Sequence, residues 1–162
     1  MDGGKASADK ASKYLTFTLA GEGYGIGIRK IKEIIGMMPI TSVPQTPEHV
    51  KGVINLRGKV IPVVDLRLRF DMAATDYTER TCIIVVEITG QSGTVMIGIV
   101  VDSVSEVLNI KAEDIEDAPT YGKKLHTDYL LGIAKTEGGV KILLDIDQIV
   151  RVQQKATLEE AI

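Results

Sequence analysis

Short apolar runs separated by glycine-containing turns dominate the chain and predict an all-β protein. The pattern is clearest in residues 51–66, where two β-rich runs, 53–54 and 60–64, flank a polar stretch. This stretch predicts a hairpin with Arg57 at or near the tip, beside Gly58, whose backbone tolerates positive φ. Similar runs elsewhere predict roughly ten short strands and little helix, a pattern typical of small barrels or a sandwich.

Two residues of this segment carry further predictions. Pro62 has no amide hydrogen, so the returning strand is expected to be an edge strand or to be bulged there. Asp65 is expected to begin a turn or to cap a short helix over residues 66–70. Residues 28–35 also fit helical spacing, but their β-branched content favours a strand interrupted by a short turn.

Two blocks of sequence recur in the same order in each half of the chain. Their internal spacing is identical in both copies, as Gly52–Asp65 with Gly132–Asp145 and Gly25–Glu33 with Gly98–Glu106. Two ordered matches of equal spacing predict duplication of one small β module. The second copy has residues 135–137 where the first has Asn55, Leu56 and Arg57, so the arginine tip is not repeated.

The duplication predicts how the 162 residues divide. We expect one overall domain containing a first β-barrel over residues 14–75 and a second over residues 76–155, with strand exchange between the halves left open. Each half alone would be marginal at burying its core, so an apolar interface between the halves is expected to stabilise both. Residues 1–13 are expected to form a disordered tail and residues 156–162 a short helical tail.

Composition narrows the function classes. The net charge of -3 and the absence of Trp argue against nucleic-acid binding. No signal peptide is visible and no apolar stretch approaches 18 residues, so direct membrane insertion is not expected. The single cysteine, Cys82, lies in an apolar run and is expected to be an inert core thiol in a reducing compartment.

No motif for catalysis, metal binding or a cofactor stands out, so none of these is predicted. His49 and His126, the only histidines, lack other ligands at metal-binding spacing. Asp65 and Asp145 occupy equivalent repeat positions, which favours two turn caps. A small hydrolase that uses these two aspartates and a histidine is the alternative from another class.

Arg57 is the residue least easily explained by a structural role, because the other copy of the module folds without an arginine at this position. A guanidinium on a stiff tip is suited to bind a partner's carboxylate or carbonyl groups. Glu33, on a predicted edge strand, would either block aggregation or pair with a partner. The apolar Ile31 and Met37 near that edge would suit a protein-docking face, since methionine adapts to partner surfaces.

From about Tyr14 to Val150, the chain resembles the CheW family of chemotaxis coupling proteins. The motifs that carry the resemblance are the Y-G-I-x-I strand from Tyr24 with Glu33 after it, V-x-G-V-x-N-L-R-G over residues 50–58, P-V-V-D-L over residues 62–66, and G-I-V-V-D over residues 98–102 with Val104 and Glu106. Each motif alone is weak, but together they are specific. The resemblance implies two intertwined five-stranded SH3-like barrels and no catalysis.

The resemblance also implies partners and a place of action. CheW-like proteins bridge the cytoplasmic tips of transmembrane methyl-accepting chemoreceptors to the histidine kinase CheA through its regulatory domain. Such an adaptor is cytoplasmic and is recruited to receptor arrays at the inner face of the membrane, where contacts between adaptor copies are left open. A free-standing regulatory-type domain of CheA is the alternative within the same fold.

Residue by residue, the resemblance assigns docking positions to the first barrel. Strand edges around Ile31, Glu33 and Gly52 are expected to meet the kinase or its paralogues. Arg57 and the groove between the barrels are expected to contribute to receptor and kinase coupling. With Asn55 and Met37, these positions are the predicted partner-binding residues.

Overall fold

The computed structural model describes residues 13–90, 93–117 and 129–150. The predicted tails, 1–13 and 156–162, lie outside these residues except for Lys13. Within them the chain is built from eleven strands: β1 (Lys13–Leu19), β2 (Glu22–Gly27), β3 (Ile31–Gly36), β4 (Val50–Leu56), β5 (Lys59–Asp65), β6 (Cys82–Gly90), β7 (Gly93–Val101), β8 (Ser103–Asn109), β9 (Ile115–Glu116), β10 (Leu130–Thr136) and β11 (Gly139–Leu144).

Helical structure is short throughout the described residues. Helix α1 spans Leu66–Arg69 and α2 spans residues 146–150, while 3-10 turns occupy Ile28–Lys30 and Ala112–Asp114. Strand β2 ends at Gly27, the turn takes residues 28–30 and β3 follows, so the predicted strand interrupted by a short turn is confirmed with the turn at the start of the segment. The all-β class is confirmed as well.

The strands form two sheets. The five-stranded sheet has the order β3-β6-β7-β5-β4, and the six-stranded sheet has the order β8-β1-β2-β11-β10-β9. The six-stranded sheet exceeds the predicted five strands because the two-residue β9 pairs with β10. Each sheet combines strands from both halves of the sequence, since β6 and β7 join β3–β5 while β1 and β2 join β8–β11.

The duplication is visible as two equivalent sheet junctions. The second strand of each hairpin pairs in parallel with a strand from the other half of the sequence. Strand β5 pairs with β7, which contains Gly98, and β11 pairs with β2, which contains the equivalent Gly25. The first hairpin has an edge bridge, the isolated β-bridge between Thr41 and Val53 of β4. The second hairpin has an equivalent contact, because Glu116 pairs with Ile133 of β10. The halves therefore share one topology.

The prediction that Pro62 marks an edge or bulge is wrong. Strand β5 lies inside its sheet between β7 and β4, and Pro62 is in regular register with Val53. The parallel pairing with β7 starts at Val63, one residue later. The missing amide hydrogen of Pro62 therefore falls outside the stretch that pairs with β7.

The core consists of three apolar clusters. The largest lies between the sheets and takes Phe17 and Ile26 from one and Ile84 and Ile99 from the other. A second cluster packs on the five-stranded sheet around Ile54, and a third packs on the six-stranded sheet. Since the largest cluster takes residues from both halves of the sequence as well as from both sheets, the apolar contact expected between the halves is present.

Candidate functional site

The hairpin of β4 and β5 turns through Arg57 and Gly58, as predicted. Leu56 pairs with Lys59, and the two turn residues have φ angles of 52° and 90°. Positive φ at both central residues fits the type I′ turn, which matches the twist of the flanking strands. The Oδ1 atom of Asn55 accepts a hydrogen bond of 2.8 Å from the amide of Gly58. A glycine, Asn or Asp would adopt the conformation of Arg57 at lower cost.

Arg57 lies at the surface and pairs with Glu33 of β3. Its side chain is 69% exposed, and Nη1 lies 3.3 Å from Glu33 Oε2 while Nη2 bonds the other carboxylate oxygen. Hydrogen bonding to Glu33 raises the pKa of Arg57 above its ordinary value. The pair connects β3, at one end of the sheet order, to the hairpin at the opposite end.

Two exposed apolar residues are close neighbours of this ion pair along the strands. Ile34 follows Glu33 on β3 and is 42% exposed, and Val60 is the second residue of β5 and is 69% exposed. Successive residues of a strand point to opposite faces, so Ile34 lies on the other face of β3 from Glu33. Exposed apolar residues near a charged pair are typical of a protein-docking region. We call this region the tip surface, defined by Glu33, Ile34, Asn55, Arg57 and Val60.

The other predicted partner-binding residues serve packing in the structure. Ile31 is half-buried against the cluster between the sheets, and Met37 is half-buried against the cluster of the five-stranded sheet. Gly52 is buried with φ of 141°, and a Cβ atom there would lie 1.9 Å from the carbonyl oxygen of Thr41. Gly52 therefore permits the close approach of the edge bridge.

The tip of the second hairpin differs in charge and conformation. Thr136 pairs with Gly139, so Glu137 and Gly138 form the turn, and positive φ occurs at Gly139 instead of at Glu137. Glu137 stands at the repeat position of Arg57. The two modules therefore present opposite charges at hairpin tips of different conformation, and the arginine tip is not repeated.

Asp65 and Asp145 are helix caps, the role that the repeat favours. Asp65 Oδ1 accepts hydrogen bonds from the amides of Arg67 and Leu68, and Asp145 Oδ1 accepts one of 3.4 Å from the amide of Gln148. The remaining Asp65 oxygen accepts a bond of 2.8 Å from the hydroxyl of Tyr77. Burial raises the pKa of the Tyr77 hydroxyl most, and this hydrogen bond to Asp65 raises it further.

A cleft of about 600 Å³ opens between the two sheets. Its apolar wall includes Tyr14, Ile26, Ile28 and Leu131, and charged side chains including Lys30 and Asp145 also line it. Asp145 reaches this cleft, whereas Asp65 is not among its lining residues. The geometry expected of a hydrolase, with both aspartates in one pocket, is not found there.

Two ion pairs at the crossings between sheets were missed by sequence reasoning. Arg67 of α1 bonds Asp102, the single residue between β7 and β8, and Lys30 bonds Asp147 of α2. The repeat could have drawn attention to one member of each pair, because Arg67 and Asp147 occupy equivalent positions with opposite charge. Nothing in the local pattern pointed to their partners.

Two absences concern only the residues described. In residues 13–90, 93–117 and 129–150, no cluster of His, Cys, Asp and Glu could hold a metal ion. Over the same part of the chain, no helix is long and apolar enough to cross a membrane.

Comparison with known proteins then decides the family. The CheW-like domain matches residues 13–154. The chain belongs to the CheW-like family. A chemotaxis protein CheW of Klebsiella aerogenes is 40% identical over 147 residues, covering 91% of this chain and 86% of the relative. The CheW of Thermotoga maritima is 30% identical, with 97% of each chain covered.

A solved structure agrees with this assignment. The crystal structure of scaffolding protein TtCheW from Thermoanaerobacter tengcongensis has a TM-score of 0.79 and 38% sequence identity, covering 91% of this chain and 98% of its own. The CheW resemblance predicted from the motifs is confirmed. So is the role of an adaptor in chemotaxis signalling, at the level of the CheW-like family.

Proposed function

We propose that this CheW-like protein acts by binding, without catalysis of its own, and couples the cytoplasmic tips of chemoreceptors to the regulatory domain of the kinase CheA. Through the receptors, it would be recruited to arrays at the inner face of the membrane. The observation that carries the proposal is the exposed pair of Arg57 with Glu33 at the first hairpin tip, where the second module has Glu137 instead of an arginine.

The energetics of the fork favour a binding role over a stabilising one. An ion pair between side chains this exposed contributes little to folding, because water screens the charges. Arg57 nonetheless adopts a left-handed conformation that a non-glycine residue disfavours. Such outliers persist where function requires the side chain. A partner that excludes water from the fork would strengthen each of its hydrogen bonds.

We assign the kinase to the tip surface. It offers the exposed pair of Arg57 and Glu33, with exposed Ile34 and Val60 close by along the edge strand β3 and along β5. A domain of the same β architecture presents similar strand edges, and edge-to-edge docking of β domains combines apolar contacts with a polar rim. The surface is small, so its affinity alone would be modest, and several simultaneous contacts in an array would raise it.

We assign the receptor to the cleft between the sheets. An apolar groove with charged margins is suited to the apolar face of an amphipathic helix. Ile28 and Leu131 are partly exposed apolar residues of its lining, and Lys13 and Glu87 are charged residues of the same lining. Two different surfaces for two partners would let one protein hold both at once.

The test compares two hairpin tips on the same chain. Arg57→Asn removes the guanidinium but keeps a residue that favours the turn, and Glu137→Gln is the matched control at the equivalent tip. We expect Arg57→Asn to weaken capture of purified CheA by about tenfold, as for an interface anchor, with Glu137→Gln within about twofold of wild type. Equal affinities for Arg57→Asn and wild type would refute the assignment of the kinase to the tip surface.

A charge swap separates recognition from support of the fold. The double variant Arg57→Glu/Glu33→Arg keeps an ion pair between the tip and β3 but exchanges the positions of its positive and negative charges. If Arg57 contacts the kinase directly, the swap stays defective in CheA capture. If the pair only holds the hairpin, the swap restores capture. Capture of a receptor cytoplasmic fragment should be unchanged in Arg57→Asn and in the double variant, because neither alters the cleft.

A further inference from the structure

Asn55 lies at the end of β4, two residues before the tip arginine. It is exposed, and its Oδ1 atom accepts a hydrogen bond of 2.8 Å from the amide of Gly58. Gly58 lies within the turn and is not one of the paired residues of the hairpin ladder, which closes with Leu56 opposite Lys59. The side chain of Asn55 therefore bonds a backbone donor of the turn itself.

The turn benefits from this bond because its first central residue is an arginine. A type I′ turn needs positive φ at both central residues, and asparagine, aspartate or glycine usually occupies the first of them. Arg57 has φ of 52°, which a residue with a Cβ atom disfavours, whereas Gly58 adopts φ of 90° freely. The bond from the Gly58 amide to Asn55 stabilises a turn that the arginine alone does not favour.

The second hairpin is the natural comparison, because its turn has the same length but no asparagine before it. Lys135 stands at the repeat position of the asparagine, and its Nζ atom lies 3.2 Å from Oε2 of Glu116 on β9. In that hairpin, Glu137 at the tip does not have positive φ, which occurs only at Gly139. The left-handed tip residue therefore occurs in the hairpin whose preceding side chain bonds the turn.

The conformation of the turn decides where the tip side chain points. Arg57 reaches Glu33 of β3 with both terminal nitrogens, although β3 and the hairpin lie at opposite ends of the sheet order. Type I and type I′ turns are mirror images, so a change of type would change the direction in which the arginine leaves the tip. The pair with Glu33 depends on the turn being kept.

We propose that Asn55 is a positioning residue for kinase docking: its side chain holds the turn that places the guanidinium of Arg57 on Glu33, and it acts through Arg57 instead of contacting the kinase. The sequence predicts Asn55 as a partner-binding residue, so the proposal changes its role. The docking part rests on the proposed function. The setting of the turn does not, because it is a property of the free protein.

Hydrogen exchange measured by NMR on the full chain without partners tests the turn. Asn55→Ala removes the acceptor, Asn55→Asp keeps an acceptor oxygen, and Lys135→Ala is the matched control at the second tip. We expect the Gly58 amide to exchange about threefold to tenfold faster in Asn55→Ala, and within about twofold of wild type in the other two variants. The coupling between the amide and α hydrogens of Arg57, which reports φ, should change only in Asn55→Ala. Unchanged Gly58 exchange in Asn55→Ala overturns the proposal.

A comparison within the wild type needs no variant and serves if Asn55→Ala fails to fold. Gly138 is the second residue of the other turn, where no asparagine precedes it. Relative to the exchange rates of unstructured peptides of the same sequences, the Gly58 amide should exchange at least about threefold more slowly than the Gly138 amide. Equal protection of the two amides would contradict the role of Asn55 in the turn.

Capture of purified CheA tests how Asn55 acts. Asn55→Ala should weaken capture by about threefold to tenfold, and Asn55→Asp should restore most of it. Added to Arg57→Asn, the alanine substitution should change capture by less than about twofold, because the residue that it positions is gone. A further loss as large as in wild type would mean direct contact and overturns the proposal. If Arg57→Asn leaves capture unchanged, the kinase assignment fails, while Gly58 exchange still decides whether Asn55 sets the turn.

Discussion

The guanidinium of Arg67 and the carboxylate of Asp102 form two parallel hydrogen bonds of 2.8 Å across a point where the chain passes from one sheet to the other. Both side chains are mostly buried, with exposed fractions of 18% and 25%. The same carboxylate accepts the amide of Ala20 in the β1–β2 turn. This one residue therefore ties α1 of the five-stranded sheet to a turn of the six-stranded sheet.

Replacing that carboxylate should destabilise the fold. Asp102→Asn keeps the shape but leaves the Arg67 guanidinium without its charged partner, so we expect the free energy of unfolding to fall by about 1–3 kcal/mol. Urea denaturation at pH 7 measures the change. Asp76→Asn, in the exposed segment between α1 and β6, is the control and should stay within about 0.5 kcal/mol of wild type. A loss in Asp102→Asn no larger than in Asp76→Asn would contradict the structural role.

The same pair predicts how stability depends on pH. Hydrogen bonding to Arg67, with a smaller contribution from the amide of Ala20, lowers the pKa of Asp102. A carboxyl whose pKa is lower in the folded state stabilises above its unfolded value, about 3.9, and loses that contribution as the pH falls through the folded value. The stability difference between wild type and Asp102→Asn should therefore be constant from pH 5 to 7 and shrink below about pH 4. Denaturation midpoints at several pH values check this, and a difference that grows on acidification would be the wrong sign.

Local features of the fold followed from local sequence. The glycine beside Arg57 predicted the hairpin tip, and Asp65 before an amphipathic stretch predicted the helix cap. The β-branched residues between positions 28 and 35 predicted a strand broken by a turn. In each case, the residues that decide the conformation lie within a few positions of one another.

Long-range pairing could not be predicted in the same way. Pro62 looked like an edge residue, but β5 is internal because it also pairs in parallel with β7, which is distant in sequence. Arg57 was expected at the surface, but its partner Glu33 lies 24 residues away on another strand. Strand periodicity tells which face is apolar and leaves open which strand lies alongside.

Gly52, predicted as a partner-binding position, should prove essential for folding. Its φ is 141°, and an added Cβ would lie 1.9 Å from Thr41 oxygen, a clash with backbone that cannot rotate away. We expect Gly52→Ala to cost about 3 kcal/mol or more, by strain and by loss of the edge bridge. Gly21→Ala is the control, because φ there is 83° with open space around it, and should cost only about 1 kcal/mol. Thermal unfolding of both variants measures the difference. Similar losses of stability in Gly52→Ala and Gly21→Ala would show that the positive φ angle alone, and not the clash with Thr41, sets the cost.

The hydrogen bond from Tyr77 to Asp65 should be visible as an alkaline transition. Burial and the bond to the Asp65 carboxylate raise the pKa of the Tyr77 hydroxyl above its ordinary value. A group with a raised pKa stabilises the fold below its unfolded value, about 10 for tyrosine, and loses this effect as the pH rises further. Tyr77→Phe should therefore lower stability by about 1 kcal/mol at pH 7.

The spectroscopic measurement isolates the same residue. In an ultraviolet titration of the folded protein, wild type and Tyr77→Phe should have identical tyrosinate absorbance up to about pH 10.5, because Tyr77 is still protonated there. Only at higher pH should wild type gain absorbance that the variant lacks. An absorbance difference already present near pH 10 would mean that Tyr77 ionises like a free tyrosine, and that its bond to Asp65 does not hold the segment between α1 and β6.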